Sequence, residues 1–281
     1  MIAVKLDKLK RILTGKGMKR FFHIVLFLFF IFEFYLFTRL YIFVSCVIPT
    51  YSMDPTIKAG DYIYVTQLIP GSRSLSDDKE HPGLLTAGRL YGLRSVRRND
   101  VVVFNFPYAE NPEKMVLSLK EFYCKRCVAV PGDTFLIDNQ GIYRVANCPD
   151  TLGNYRAQCA FGARPGTPAA GFKPVYLPRA GDELPIDSAN YAQYRKCIEY
   201  ETHRNVTLRR DTVFIGGLPV SRYRFRQNYY FMAGDNVADS YDARFWGLLP
   251  EDFIVGVARF IWFSRDPSSR QVRWNRMFTG L

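Results

Sequence analysis

Histidine is scarce in this chain. Three occur in 281 residues, His23, His81 and His203, and no local motif joins one of them to a serine and an acid, so a Ser-His-Asp triad has no local support. A second C-x-x-C is also missing. Cys124 and Cys127 stand alone in that spacing, and without a second ligand pair they argue for neither zinc nor redox chemistry. No basic block lies beyond residue 20. Residues 1–20 hold seven Lys/Arg against one acid, Asp7, which is half of the formal net charge of +12. So uneven a distribution speaks against nucleic acid as a partner. No internal repeat is present, and no sustained amphipathic helical period occurs outside the first apolar run.

That apolar run is the strongest feature present. From Phe21 to Phe37 the only polar side chains are His23, Glu33 and Tyr35. Seventeen residues at about 1.5 Å each approach the bilayer core thickness, and Leu40–Val44 extends the run if Arg39 snorkels. The basic head is expected to stay in the cytoplasm and the remainder to lie outside. No small-x-small cleavage site follows, so the run is expected to be an uncleaved anchor rather than a cleaved signal.

Hydrophobic content of 48% and aromatic content of 16% argue against disorder. Short apolar segments punctuated by AGD, PGD, IGGLP and AGDN predict strands at 61–65, 100–106, 121–130, 134–137, 142–145, 211–215, 228–232 and 254–263. The fold class is therefore mostly β: a transmembrane helix followed by an antiparallel β domain carrying a large irregular insertion. The expected organisation is a basic head at 1–20, an anchor at 21–45, a β domain made of 46–145 and 211–281, and a cap-like insertion at 146–210. Residues 70–99 read as a long loop. Cys148 and Cys159 are the expected disulfide of an oxidising compartment, with Cys197 as the alternative partner.

Two stretches carry candidate chemistry. VIPTYSMDPTIKAGDYIYV places Thr50 and Ser52 two residues apart just after the anchor. If that segment is extended, both hydroxyls point the same way. EFYCKRCVAVPGD places Lys125 in an otherwise apolar strand. Burial would lower its pKa and free the amine to accept a proton from a serine, whereas an edge position facing solvent would leave it an ordinary surface lysine.

Four blocks occur in a telling order: SMDPT at 52–56, GDYIYV at 60–65, KRCVAVPGD at 125–133 and GDNVADSYDARFWG at 234–247. In this order, behind an apolar anchor, they resemble the bacterial type I signal peptidases. The resemblance covers residues 21–68, 98–137 and 228–262, and covers the 70–99 and 146–210 stretches poorly. It implies a Ser-Lys serine endopeptidase with Ser52 as nucleophile, Lys125 as general base, Ser240 orienting the lysine, and Thr50 joining the Ser52 N–H in the oxyanion hole. Arg126, Asp235, Asp242 and Arg244 are expected to form one charged network. Ile48, Met53 and Cys124 are expected to line shallow apolar pockets for small side chains.

The implied substrates are exported preproteins cut at the outer face of the inner membrane, with membrane lipid as a further partner and no cofactor or metal. The sequence departs from the family pattern where Cys127-Val128-Ala129 follows the Lys-Arg pair, where Val237-Ala238-Asp239 follows GDN, and where Ala243 replaces a serine. Other readings are a dedicated pilin-type peptidase of the same family, a non-catalytic anchored adaptor on the same fold, and a self-cleaving Ser-Lys repressor-type protein. The anchor opposes the last.

Overall fold

A computed structural model describes residues 16–137, 143–146 and 173–281. The proposed Cys148–Cys159 pair lies outside the described residues. Two compact units are present, Met1–Phe43 and Val44–Leu281.

The first unit holds the helix Lys16–Phe37, continued by one π-helical turn at Thr38–Ile42. The span Met18–Ile42 is 25 residues long and apolar enough to cross a membrane by length and composition. At about 1.5 Å per residue it exceeds the thickness of a bilayer core. The Thr38 hydroxyl donates to the Tyr35 carbonyl at 2.8 Å, a back-bond that loosens the helical ladder where the π turn begins.

The second unit is built on an antiparallel sheet. Its strands run in the spatial order Phe43–Val47, Asp61–Thr66, Ile254–Ser264, Val101–Asn105, Phe122–Ala129, Tyr229–Ala233 and Leu249–Pro250, with Thr279–Gly280 added to Ile254–Ser264. The long strand Ile254–Ser264 is shared. Residues 257–264 pair with Asp61–Thr66, and residues 254–258 pair with Val101–Asn105. Register shifts along both pairings bend the strand, as extra residues in one strand of a ladder do.

Each predicted strand is present with its ends moved by a residue or so. The Gly-Asp turns between them share one device: the Asp carboxylate accepts the N–H three residues earlier. Asp61 takes it from Lys58 at 2.8 Å, Asp133 from Val130 at 2.9 Å and Asp182 from Arg179 at 2.9 Å. The turn glycine supplies the positive φ, as at Gly60 with φ +87°. A Cβ at Gly60 would also meet the Arg265 carbonyl oxygen at 1.9 Å, so this position needs glycine twice over.

Two expectations are corrected. The 70–99 stretch is not one loop, because it contains the hairpin Arg73–Asp77 with Leu85–Arg89. Its strands are mostly polar and alternate poorly, so they leave little periodic signal. Two guanidinium groups hold the hairpin down: Arg73 donates to the Asp252 carbonyl at 3.0 Å, and Arg89 donates to those of Glu251 and Ile254 at 2.8 Å each.

The second correction concerns helix. Tyr191–Thr202 is an α-helix burying Tyr194, Cys197, Ile198 and Glu201. The spacing is helical, but one member of the stripe is an acid, which hides the period. Glu201 is buried because Tyr223 and Tyr229 hydroxyls and the N–H groups of Arg226 and Gln227 all donate to it, at 2.8–2.9 Å. Cys197 is a buried free thiol on this helix, so the alternative disulfide through it is not formed.

The described part of 146–210 packs into the same core as the sheet. Val175, Leu177, Tyr194 and Ile198 share one cluster with Phe231 and Phe253. The hairpin Val206–Arg209 with Thr212–Ile215 straddles residue 210, so the boundary expected there falls inside a tight turn.

One buried carboxylate ties the fold to the segment after Ser52. Asp61 is fully buried. Ser264 donates to it at 2.6 Å, Arg276 at 2.6 Å and Arg273 at 3.3 Å. The same two arginines donate to the Thr56 and Ala59 carbonyls at 2.9 and 2.6 Å. Burial alone would raise the Asp61 pKa, but the hydrogen bonds from Arg276, Ser264 and the Lys58 N–H outweigh it, and the net direction is down.

Replacing Asp61 with Asn or Ala leaves two arginines unpaired and should cost about 3–5 kcal/mol, read as a fall in Tm. Because the folded pKa is depressed, the carboxylate's contribution is complete above about pH 4 and fades as pH falls through the native value. The stability gap between the wild type and Asp61→Asn should narrow over that acidic range. A gap independent of pH would refute this role.

Candidate active site

Ser52 lies at the start of a turn, not on an extended segment. Asp54 N–H donates to the Tyr51 carbonyl at 3.0 Å and Ile57 N–H to the Met53 carbonyl at 2.9 Å. The Thr50 and Ser52 hydroxyl oxygens nevertheless lie 3.5 Å apart, because the turn brings them together. The loop is pinned from below: Gly60 N–H donates to the Ile48 carbonyl at 2.8 Å and Ile48 N–H to the Asp61 carbonyl at 2.9 Å.

Lys125 comes from the strand Phe122–Ala129, opposite Val102. It is 4% exposed and Ser52 8%. Their Nζ and Oγ atoms are 2.6 Å apart, with Nζ as donor. Once the amine is neutral, the same contact lets the serine O–H donate to nitrogen. Burial pushes the Lys125 pKa below its ordinary value of 10.5, against the opposing pull of Cys124, Asp242 and Asp235. The Tyr123 ring centroid lies 5.4 Å from Nζ. Burial also pushes the Cys124 thiol up to about 12, so that neighbour is neutral near pH 7.

Cys124 and Cys127 fall on opposite faces of this strand. They belong to two different core clusters, as residues three apart on a strand must. No shared metal or redox site is formed by the pair.

The four charged residues include two close ion pairs. Arg126 donates to Asp235 at 2.9 and 2.5 Å and to the Asn99 carbonyl at 2.9 Å. Arg244 donates to Asp242 at 2.6 and 2.8 Å, with both side chains fully buried. Asp242 also takes the Gly234 N–H at 3.0 Å. Arg126 reaches Asp235 across adjacent strands, whereas Arg244 folds back on Asp242 at the start of the short helix Ala243–Trp246.

Ser240 is 2% exposed, and its Oγ has no hydrogen-bond partner. The expected bond to Lys125 is therefore not formed. The hydroxyl packs instead against Gly234, where a Cβ would meet it at 2.2 Å and the Ser52 carbonyl oxygen at 2.5 Å. From the same turn, Asn236 donates to the Ser52 carbonyl through its N–H and to the Tyr51 carbonyl through Nδ2, each at 3.1 Å. Sequence reasoning missed Asn236, although it sits in the GDN tripeptide already singled out.

A cleft of about 610 Å³ opens over Ser52 and Lys125. Ile48 and Cys124 line it, as expected. Met53 does not. It is fully buried in the cluster with Ile48, Ile57 and Val103, because the turn after Ser52 directs it into the core. Thr50, Tyr51, Phe122, Tyr123 and Tyr241 complete much of the wall. The aromatic members were legible only as strand or turn residues.

His81 and His203 line no part of this cleft. They sit together with Asp78, so neither is a base for Ser52. Among the described residues no hydrogen bond takes up the Ser52 N–H. A hydroxyl at hydrogen-bond distance from a desolvated amine is an arrangement that suits nucleophilic acyl transfer.

Known proteins point the same way. Residues 20–263 match the family described as signal peptidase, peptidase S26. The chain is 25% identical over 269 residues to signal peptidase I of Haemophilus influenzae, covering 86% of this chain and 71% of that one. It is 26% identical to signal peptidase I of Helicobacter pylori, covering 84% of each. It is 28% identical to signal peptidase I of Pseudomonas aeruginosa, covering 77% of this chain and 63% of that one.

Gly234→Ala should displace the Ser52 carbonyl, which is backbone and cannot yield as a flexible side chain can. The expected result is loss of Ser52 reactivity toward an activated ester by at least about tenfold, since small misplacements of reacting groups have large effects, together with a fall in Tm from overpacking worth about 1–3 kcal/mol. Wild-type reactivity in this variant would contradict the packing described.

Proposed function

The chain belongs to the signal peptidase family, peptidase S26, and from that premise we propose that it is a signal peptidase I. It removes N-terminal signal peptides from exported preproteins. The observation that carries this reading is the 2.6 Å contact between Ser52 and a buried Lys125 at the floor of an open cleft.

Neutral Lys125 takes the proton of the Ser52 hydroxyl as Oγ attacks the scissile carbonyl carbon. Charge develops on the carbonyl oxygen, where the Ser52 N–H and the Thr50 hydroxyl donate to it. Lys125 then passes its proton to the leaving amine, the C–N bond breaks, and an ester to Ser52 remains. Water enters, loses a proton to Lys125 and attacks the ester. The proton returns to Ser52, and the mature and signal segments are free. The apolar wall of Ile48, Cys124 and Tyr123 favours small uncharged side chains beside the scissile bond. No step needs a cofactor or metal.

The Met18–Ile42 span anchors the chain in the bacterial cytoplasmic membrane. Its basic head, residues 1–20, faces the cytoplasm under the positive-inside rule, and Val44–Leu281 works on the outer side. Trp262, Trp274 and Phe278 are 41%, 75% and 77% exposed. Such rings suit the interface of a membrane. A non-catalytic adaptor would have no use for a desolvated amine bonded to a serine.

Purified protein in detergent should cut a preprotein once, and sequencing should place the new N-terminus at the mature residue. Ser52→Ala, Lys125→Ala and the double variant should leave similar small residual rates, because the pair acts as a unit. Lys125→Arg should be nearly as inactive, since a guanidinium stays protonated. Thr50→Val should lower kcat about a hundredfold. Wild-type rates should rise with pH as Lys125 loses its proton. Near-normal cleavage by Lys125→Arg would sink the Ser-Lys assignment. Protease added to spheroplasts should digest beyond Val44 and spare the head; the reverse pattern would overturn the orientation.

A further inference from the structure

A second cluster of ligating side chains lies outside the cleft. Asp78 follows the hairpin strand Arg73–Asp77, and His81 sits in the turn that leads to Leu85–Arg89. His203 caps the C-terminus of the helix Tyr191–Thr202 in a left-handed conformation with φ 53°. The two imidazole rings are 4.2 Å apart between centroids.

The carboxylate is divided between two tasks. Asp78 Oδ1 accepts the N–H groups of Glu80 and His81 at 2.7 and 3.0 Å. That pins the side chain and turns Oδ2 to the imidazoles, 3.5 Å from His81 Nδ1 and 3.9 Å from His203 Nε2. His81 Nδ1 is buried and makes no hydrogen bond. The three ligand atoms all lie within 4.8 Å of one another.

These separations are long for hydrogen bonds. Bonds of about 2.0–2.1 Å at tetrahedral angles put donors sharing one ion about 3.3 Å apart, so the 3.5 Å separation is close to that spacing and the 3.9 Å one needs His203 to close in by about half an ångström. We propose that Asp78, His81 and His203 form a zinc(II) site that staples the hairpin to the helix terminus. Two imidazole nitrogens and one carboxylate oxygen are a borderline N/O donor set that suits zinc over calcium or magnesium, with water as the fourth ligand. The head of Arg226 adds positive charge at His203, and Glu80 adds negative charge, so the local field is mixed. The site is structural and independent of Ser52 and Lys125. It departs from the expectation, implied by the family resemblance, that no metal is involved.

The test is equilibrium dialysis of the full chain in detergent against zinc chloride, with metal analysis of the protein. One zinc per chain is expected, with a rise in Tm that chelation reverses. The variant with His81→Gln and His203→Gln should lose that zinc and at least about tenfold in affinity, while its metal-free Tm matches the wild type. Cobalt(II) on the wild-type chain should give a visible tetrahedral spectrum without a thiolate charge-transfer band. That arm does not depend on any variant folding. No retained zinc, equal zinc in the double variant, or a thiolate band pointing to the free cysteines would each overturn the proposal.

Discussion

An amine enclosed beside a serine hydroxyl governs the arrangement of this protein. A lysine in water holds its proton too tightly to act as a base near neutral pH. Lys125 is moved away from that limit because the strand Phe122–Ala129 carries it into the interior, where burial disfavours the ammonium form and lowers its pKa. The enclosure works only while no acid pairs with the amine. Asp235 and Asp242 both exert a field at Lys125, and each is held by its own arginine, Arg126 or Arg244. The two ion pairs thus serve the lysine by keeping two carboxylates engaged elsewhere, and they also hold the Gly234 turn that carries Asn236 to the Ser52 carbonyl.

The serine side is held by different means. A tight turn has no sheet ladder of its own, so the segment 49–60 takes its rigidity from below. Arg273 and Arg276 reach it from the C-terminal part of the chain and meet at the buried Asp61. Met53 and Ile57 anchor the same turn in the apolar cluster under the sheet. The strand Ile254–Ser264 lies between the strand that starts at Asp61 and the strands that lead to Lys125. Ser52 and Lys125 are therefore supported by one continuous sheet, which suits the proposed reaction with its need for sub-ångström placement.

Local chemistry explains what could be foreseen. The apolar runs bounded by Gly-Asp turns each became a strand, because turn geometry and side-chain burial demanded the same ends. The anchor was visible as an uninterrupted apolar run. The helix Tyr191–Thr202 was hidden, since its buried stripe includes Glu201, whose partners come from residues 223–229. The polar hairpin at 73–89 was hidden for a like reason, being held by guanidinium bonds to distant carbonyls. At the site, Ser52 and Lys125 stood in blocks whose order resembled a family. The inward turn of Met53, the unbonded Ser240 hydroxyl and the pairing of arginines with acids depend on contacts across long stretches of chain, and sequence spacing carries no record of them.

The most direct test is the titration of Lys125 itself. Protein carrying isotope-labelled lysine side chains, with the resonance assigned by its absence in Lys125→Met, would report the protonation of Nζ as pH is varied. The account predicts a titration below the ordinary 10.5 of a lysine, in the folded protein and lost on unfolding. A Lys125 that titrates at or above 10.5 would mean that burial does not free the amine, and the proposed base would have to be given up.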